Sequence, residues 1–221
     1  MSIVQIRETV SAFASAARRA IDAGLDGVEI HAANNFLIDS FLRDGTNQRN
    51  DEYGGSLENR SRFLLEVVDA VAAEIGAGKV GVRFSPTNAV FGISDSNPKA
   101  IFTYAARQLS KRNLAYLHVL EPALDSGSSM SVGLPTVARA LREEYEGLMI
   151  LNGSLTNETG QSALASNTAD AIAFGIPFIS NPDLVERFRN NITLTEANPD
   201  TFYSDGAEGY VDYAPVELET A

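Results

Sequence analysis

Apolar residues recur at three- and four-residue spacing near the start of the chain, at Ile3, Ile6, Val10, Phe13, Ala17 and Ile21. That stripe predicts an amphipathic helix, with Gly24 as its stop. Gly27-Val28-Glu29-Ile30-His31 follows as a short strand, and the polar stretch from Asp44 to Gly55 reads as a long loop. Ser56 then caps a helix carrying Leu64, Val67, Val68, Val71 and Ile75, which ends at Gly76 and Gly78. The alternation continues with a strand over Val80–Phe84, a helix near Lys99 to Arg112, and a strand over Ala115–Leu120. A helix near Leu134 to Tyr145, a strand over Leu148–Leu151, a helix near Glu158 to Ser166 and a strand over Ala171–Phe174 complete it. Asn181-Pro182-Asp183 opens a last helix with an N-cap, a proline at the first position and an acid in the first turn. From about Asn191 the tail is polar, punctuated by Phe202, Tyr203, Tyr210 and Tyr213.

Strands alternating with helices predict a parallel sheet. No G-x-G-x-x-G follows the first strand, which weighs against a dinucleotide-binding doubly wound fold. The remaining α/β candidate is a (β/α)8 TIM barrel, which needs eight units and typically about 250 residues. About five units are present, so the pattern predicts a partial barrel, a single incomplete domain over 1–221. Five strands cannot close a barrel. The first and last strands are then open edges, which predicts association with a partner or poor solubility.

Strand side chains alternate between barrel interior and helix shell. Val28 and Ile30 suit the shell, leaving Glu29 and His31 inward, with His31 at the carboxyl end where barrel active sites are built. Asn34 follows three residues later. Both side chains donate hydrogen bonds and could together grip a developing oxyanion. A core histidine beside a turn asparagine fits the same spacing and is the commoner case. Arg83 lies inward on its strand with Gly81 and Ser85 on the same face, and is expensive to bury without an anionic partner. Glu29 and a negative ligand group are equal candidates for that partner. His118 reads as interior filling. Asn152-Gly153-Ser154 and Gly175-Ile176-Pro177 are glycine turns after the last two strands, the usual phosphate seat of a barrel.

Composition narrows the chemistry. There are 17 Lys+Arg against 29 Asp+Glu, a net charge of -12, which disfavours nucleic acid and anionic membranes as partners. The chain has no cysteine, so disulfides and thiolate chemistry are excluded, and only 2 histidines, so a multi-histidine metal site is not expected. The first residues show no signal peptide pattern, and no apolar run approaches the ~18 residues of a membrane span. The expectation is a soluble cytoplasmic protein that handles a small molecule and binds no metal.

Several longer stretches are similar to one family. Gly27–Asn34, Asn47–Arg60 (NQRNDEYGGSLENR), Val80–Pro86 (VGVRFSP), Phe178–Val185 (FISNPDLV), and Thr201–Tyr203 with Gly209–Tyr213 together resemble the old yellow enzymes, FMN-dependent NAD(P)H oxidoreductases and ene-reductases. The likeness runs through essentially the whole chain and places it at strands 4–8 of that barrel. It implies that His31 and Asn34 are catalytic and bind the carbonyl or nitro oxygen of an activated alkene, or a phenolic oxygen. It implies that Arg83 sits beside the N1 and O2 edge of FMN, and that Gly153, Ser154 and Gly175 contact its phosphate. Phe36 and Tyr210 would line the substrate pocket, for enones, nitro compounds or quinones. NAD(P)H would be the reductant, and a second copy or a complementing amino-terminal chain the protein partner.

Three departures carry consequences. The family's first three strands, which contact the flavin, have no counterpart in the sequence. Phe36 stands where many relatives have a proton-donating tyrosine, so water or another group must supply that proton. Ile176 stands where the family usually has a phosphate-binding arginine, and losing such a charge-assisted contact costs roughly 1.5–3 kcal/mol, or about one to two decades of affinity. These changes also suit a truncated, catalytically impaired homologue that acts as a non-enzymatic or split-enzyme subunit.

Overall fold

A computed structural model of the chain describes residues 1–88, 92–121 and 137–216. Contacts divide it into two compact units, Met1–Ile172 and Ala173–Ala221.

In the first unit the predicted alternation forms: α1 (Ile3–Asp22), β1 (Val28–His31), α2 (Leu37–Leu42), α3 (Leu57–Ile75), β2 (Val80–Phe84), α4 (Pro98–Ser110), β3 (Tyr116–Leu120), α5 (Ala138–Glu144), β4 (Met149–Asn152) and α6 (Asn157–Ala165). β5 (Ala171–Ala173) completes a five-stranded sheet of order β1-β2-β3-β4-β5, in which each strand lies beside the next along the chain. Parallel neighbours joined by helical crossovers are the βα repeat of a barrel wall.

Caps fix the helix starts. Ser2 and Gln5 form a reciprocal capping box on α1, and the Ser56 side chain accepts from the Asn59 amide on α3. Gly76, at φ 91°, ends α3, and the residues after it form a short 3-10 turn, Ala77–Lys79. The start of α5 expected at Leu134 lies outside the described residues. The helix α2 was not legible, because its six residues are too few to show a period.

The register confirms the inward and outward assignment. One buried row runs Ile30–Val82–Leu117–Met149 and another Phe84–Val119–Leu151, packed with the apolar faces of α3 and α4. The opposite face carries Glu29–Gly81–Tyr116, then His31–Arg83–His118–Ile150, then Leu120–Asn152. Gly81 leaves room for the Tyr116 ring, since a Cβ would lie 2.3 Å from its ring carbons and the ring would have to shift.

The 44–55 loop is irregular, as expected, and is held by its own side chains. Buried Asn47 donates to the carbonyls of Phe41 and Tyr53 at 2.6 and 2.7 Å, and Arg49 pairs with Asp51. Arg60 donates to the Leu42 carbonyl and pairs with Asp95 at 2.5 Å. The family-like run from Asn47 to Arg60 is therefore a packing feature.

The second unit contains α7 (Ile176–Ser180), α8 (Leu184–Arg189) and a 3-10 turn, Pro199–Thr201. The helix expected to open at Asn181 starts at Leu184 instead. Asn181 is fully buried, donating to the carbonyls of Pro177 and Thr195 and accepting from the Thr195 amide, so its side chain is spent on tertiary bonds rather than on a cap. Asp183 pairs with Arg187 and accepts from the Val216 amide, tying the tail to α8.

Candidate active site

The carboxyl ends of β1 and β2 gather three of the predicted residues. His31 ends β1 and stands in register with Arg83 on β2. Asn34 sits in the turn that follows, at φ 55°, with Asn35 at φ 61°. Asparagine tolerates this left-handed conformation better than most residues. Two bonds from the segment after β2 anchor Asn34. Its amide donates to Ser85 Oγ at 2.7 Å, and its Oδ1 accepts from Asn88 Nδ2 at 2.6 Å.

A buried ion pair holds both segments together. Asp39 and Arg43, one helical turn apart, meet at 2.9 Å with side chains 0% and 2% exposed. Asp39 Oδ2 accepts from the Asn35 amide, while Arg43 donates to the carbonyls of Ser85 and Pro86. Each polar group of the pair is bonded, which is what makes burying two charges tolerable. Burial still dominates at Asp39 and raises its pKa, against the lowering effects of Arg43 and the Asn35 amide.

Three nitrogens on the His31–Arg83–His118 row are buried without a hydrogen-bond partner among the described residues: His31 Nδ1, Arg83 Nε and His118 Nε2. Among the described residues Arg83 makes one long bond, from Nη2 to Asn152 Oδ1 at 3.4 Å. Glu29, the structural alternative as partner of Arg83, pairs instead with His118 Nδ1 at 2.9 Å. His118 thus fills the interior and also hydrogen-bonds Glu29, a pairing not legible in the sequence because the two residues are 89 positions apart. Burial opposes the charged form of Glu29, but His118, Arg83 and the Tyr116 hydroxyl outweigh it and hold its pKa below the ordinary range. At His31, burial and then the positive charge of Arg83 lower the pKa, against Glu29. The imidazole is therefore neutral at pH 7, with one N–H to donate and one nitrogen to accept.

Phe36 precedes α2 and packs its ring 4.7 Å from the His31 ring, centroid to centroid, while remaining 55% exposed. It supplies an apolar wall and no proton. After β4, Gly153 at φ 132° and Ser154 at φ 55° make a turn at the same end of the sheet as His31 and Arg83. In the second unit, Gly175 immediately precedes α7, Ile176 is exposed, and the Tyr210 hydroxyl donates to the Phe202 carbonyl at 3.0 Å. Ser85 was legible as a neighbour of Arg83 but not as an anchor, and Asn88, Asp39 and Arg43 were not singled out. Only the i,i+4 spacing of Asp39 and Arg43 was a signal for any of them.

The buried Arg83 N–H, without an acceptor among the described residues, fits a flavin's pyrimidine edge, which is rich in oxygen and nitrogen acceptors. No group of three or more His, Cys, Asp or Glu able to hold a metal occurs among the described residues. No helix among them is long and apolar enough to cross a membrane.

The chain is 44% identical over 218 residues to 12-oxophytodienoate reductase 2 of Arabidopsis thaliana, covering 98% of this chain and 58% of that protein. It is 44% identical over 213 residues to a probable flavin mononucleotide-dependent alkene reductase of Leishmania infantum, covering 96% and 57%. Among solved structures, the old yellow enzyme homologue from Zymomonas mobilis superposes with a TM-score of 0.95 at 42% identity, covering 98% of this chain and 61% of that one. Morphinone reductase, solved with tetrahydroNAD, gives a TM-score of 0.89 at 43% identity, covering 98% and 58%. The chain thus spans a little under two thirds of each of these relatives, and its five strands are part of their TIM barrel. Residues 1–195 match the NADH:flavin oxidoreductase / NADH oxidase family, and the chain belongs to that family, the old yellow enzymes.

Proposed function

We propose that this chain carries the substrate-gripping and part of the flavin-holding machinery of an FMN-dependent oxidoreductase that reduces activated alkenes at the expense of NAD(P)H. The observation that carries this reading is the buried His31 Nδ1 and Arg83 Nε, side by side in register and without a partner among the described residues, with Asn34 held in the turn after His31. When bound, FMN supplies two-electron hydride chemistry between the nicotinamide and the electron-poor alkene.

Arg83 would hold the anionic pyrimidine edge of the flavin, and Gly153 and Ser154 its phosphate. His31 and Asn34 would donate to the carbonyl or nitro oxygen of an enone, nitro compound or quinone. Their donors strengthen as charge gathers on that oxygen, which makes the β-carbon electrophilic. Phe36 shields one side of His31 and cannot protonate the α-carbon, so water or another group delivers that proton and alkene reduction is slower than with a phenol in place.

Phe36 and Ile176 favour one second reading, a catalytically impaired subunit whose barrel is completed by another chain. Titration of the purified chain with FMN, followed by flavin fluorescence, separates them, together with NADPH oxidation on cyclohexenone and a quinone. Saturable quenching and turnover support the enzyme. A chain that takes up no flavin and turns over neither acceptor overturns it. Arg83→Ala is expected to weaken FMN binding by about one to two decades, the usual scale for a charge-assisted contact.

A further inference from the structure

We infer that Asn88 is a positioning residue that sets which end of the Asn34 carboxamide faces the substrate. The inference rests on the proposed role of Asn34 as a donor to the substrate oxygen.

A carboxamide presents an acceptor at one end and two donors at the other, and its two orientations have nearly the same shape. Only one of them polarises a carbonyl; the other sets oxygen against oxygen. Something must choose between them. Asn88 Nδ2 donates to Asn34 Oδ1 at 2.6 Å, which consumes the acceptor end and leaves the NH2 group as the end that is offered. Asn88 is well placed to impose this choice. It is 3% exposed, and its backbone amide donates to the Ser85 carbonyl at 3.1 Å. Ser85 in turn fixes the Asn34 backbone through its hydroxyl and is gripped by Arg43 through its carbonyl. The donor and the group it orients therefore sit on one rigid frame, where a misdirected amide has no freedom to relax.

The same geometry predicts an unusual order of substitutions. Asn88→Asp has nearly the native shape but can only accept, so it recruits the Asn34 NH2 group and turns the Asn34 oxygen outward. Asn88→Ala merely releases the carboxamide. A residue with a purely packing role gives the opposite order, because the near-isostere is tolerated better than the truncation.

The full-length chain tests this in two ways. In nitrogen-15 NMR of the protein alone, the Asn88 side-chain NH2 is expected to exchange with solvent more slowly than that of Asn34. In Asn88→Asp, the Asn34 NH2 becomes the protected one. With FMN bound, KM for the neutral probe cyclohexenone is expected to rise about 3–10-fold in Asn88→Ala and several-tens-fold in Asn88→Asp, relative to the native chain. An Asn34 NH2 already protected in the native chain overturns the inference, as does an Asn88→Asp KM no higher than that of Asn88→Ala. Should the chain take up no flavin, the proposed function fails while the exchange measurement still decides the orientation. Should Asn88→Asp not fold, native exchange and the Asn88→Ala KM decide it.

Discussion

His31 shows how a single side chain is tuned by its neighbours. Burial and the positive charge of Arg83 both disfavour the imidazolium, and Glu29 only partly offsets them. The folded pKa lies below the ordinary value of 6.5, so the neutral ring is the form the fold selects. A depressed pKa means that the contribution to stability is present above pH 6.5 and is lost as pH falls through the folded value. We expect the His31 ring signals to titrate in NMR with a midpoint below 6.5, and Arg83→Leu to move that midpoint upward. A His31 midpoint at or above 6.5 in the native chain contradicts this account. Under the proposed function Arg83 both meets a ligand acceptor and keeps its neighbour uncharged, which a neutral residue of similar length cannot do.

At the scale of elements, the site depends on two strand-to-helix segments that share a frame. Residues 34–35 and 85–88 come from the ends of β1 and β2, and Asp39 and Arg43 bind them into one unit. Removing Arg43 leaves Asp39 buried without its cation, a type of change that costs about 3–5 kcal/mol. Asp39 already has a raised pKa, and loss of Arg43 removes the lowering effects that now restrain it. A group with a raised pKa contributes most below its unfolded value and loses that contribution as pH rises through the folded one. Arg43→Met should therefore lose most stability near pH 7 and recover part of it toward pH 4, measured by urea unfolding at both. An equal loss at both pH values would show that Asp39 is not the source. The helix α2, illegible by period, exists because it delivers Asp39 to this frame while burying Ile38, Phe41 and Leu42.

For the molecule as a whole, the described sheet has β1 and β5 as its outer strands. Glu29 on β1 is exposed, while its register neighbour Gly81 on β2 is buried and Tyr116 on β3 is partly buried. Open strand edges present unpaired amides and carbonyls, which favour pairing with another chain. We expect the purified 221-residue chain to self-associate or to gain solubility on adding a chain with the relatives' opening strands, read by size-exclusion light scattering. A monodisperse monomer with a cooperative melt refutes this. The net charge of -12 acts against indiscriminate aggregation, so association should be saturable rather than open-ended.

What the sequence by itself determined is local and periodic. The stripe on α1, the Ser56 cap, the alternation of Val80, Val82 and Phe84 against Gly81 and Arg83, and the βα order all follow from rules acting over a few residues. So does the placing of His31 and Arg83 on one face, because side-chain alternation in a strand leaves no other choice once one face is apolar. Only the tertiary structure decided which polar groups meet. Glu29 chose His118 over Arg83, Asn181 gave its side chain to Thr195 rather than to a helix start, and Asn88 took the acceptor end of Asn34. Such pairings join residues up to 89 positions apart and depend on ångström-scale register between elements, which no spacing along the chain encodes.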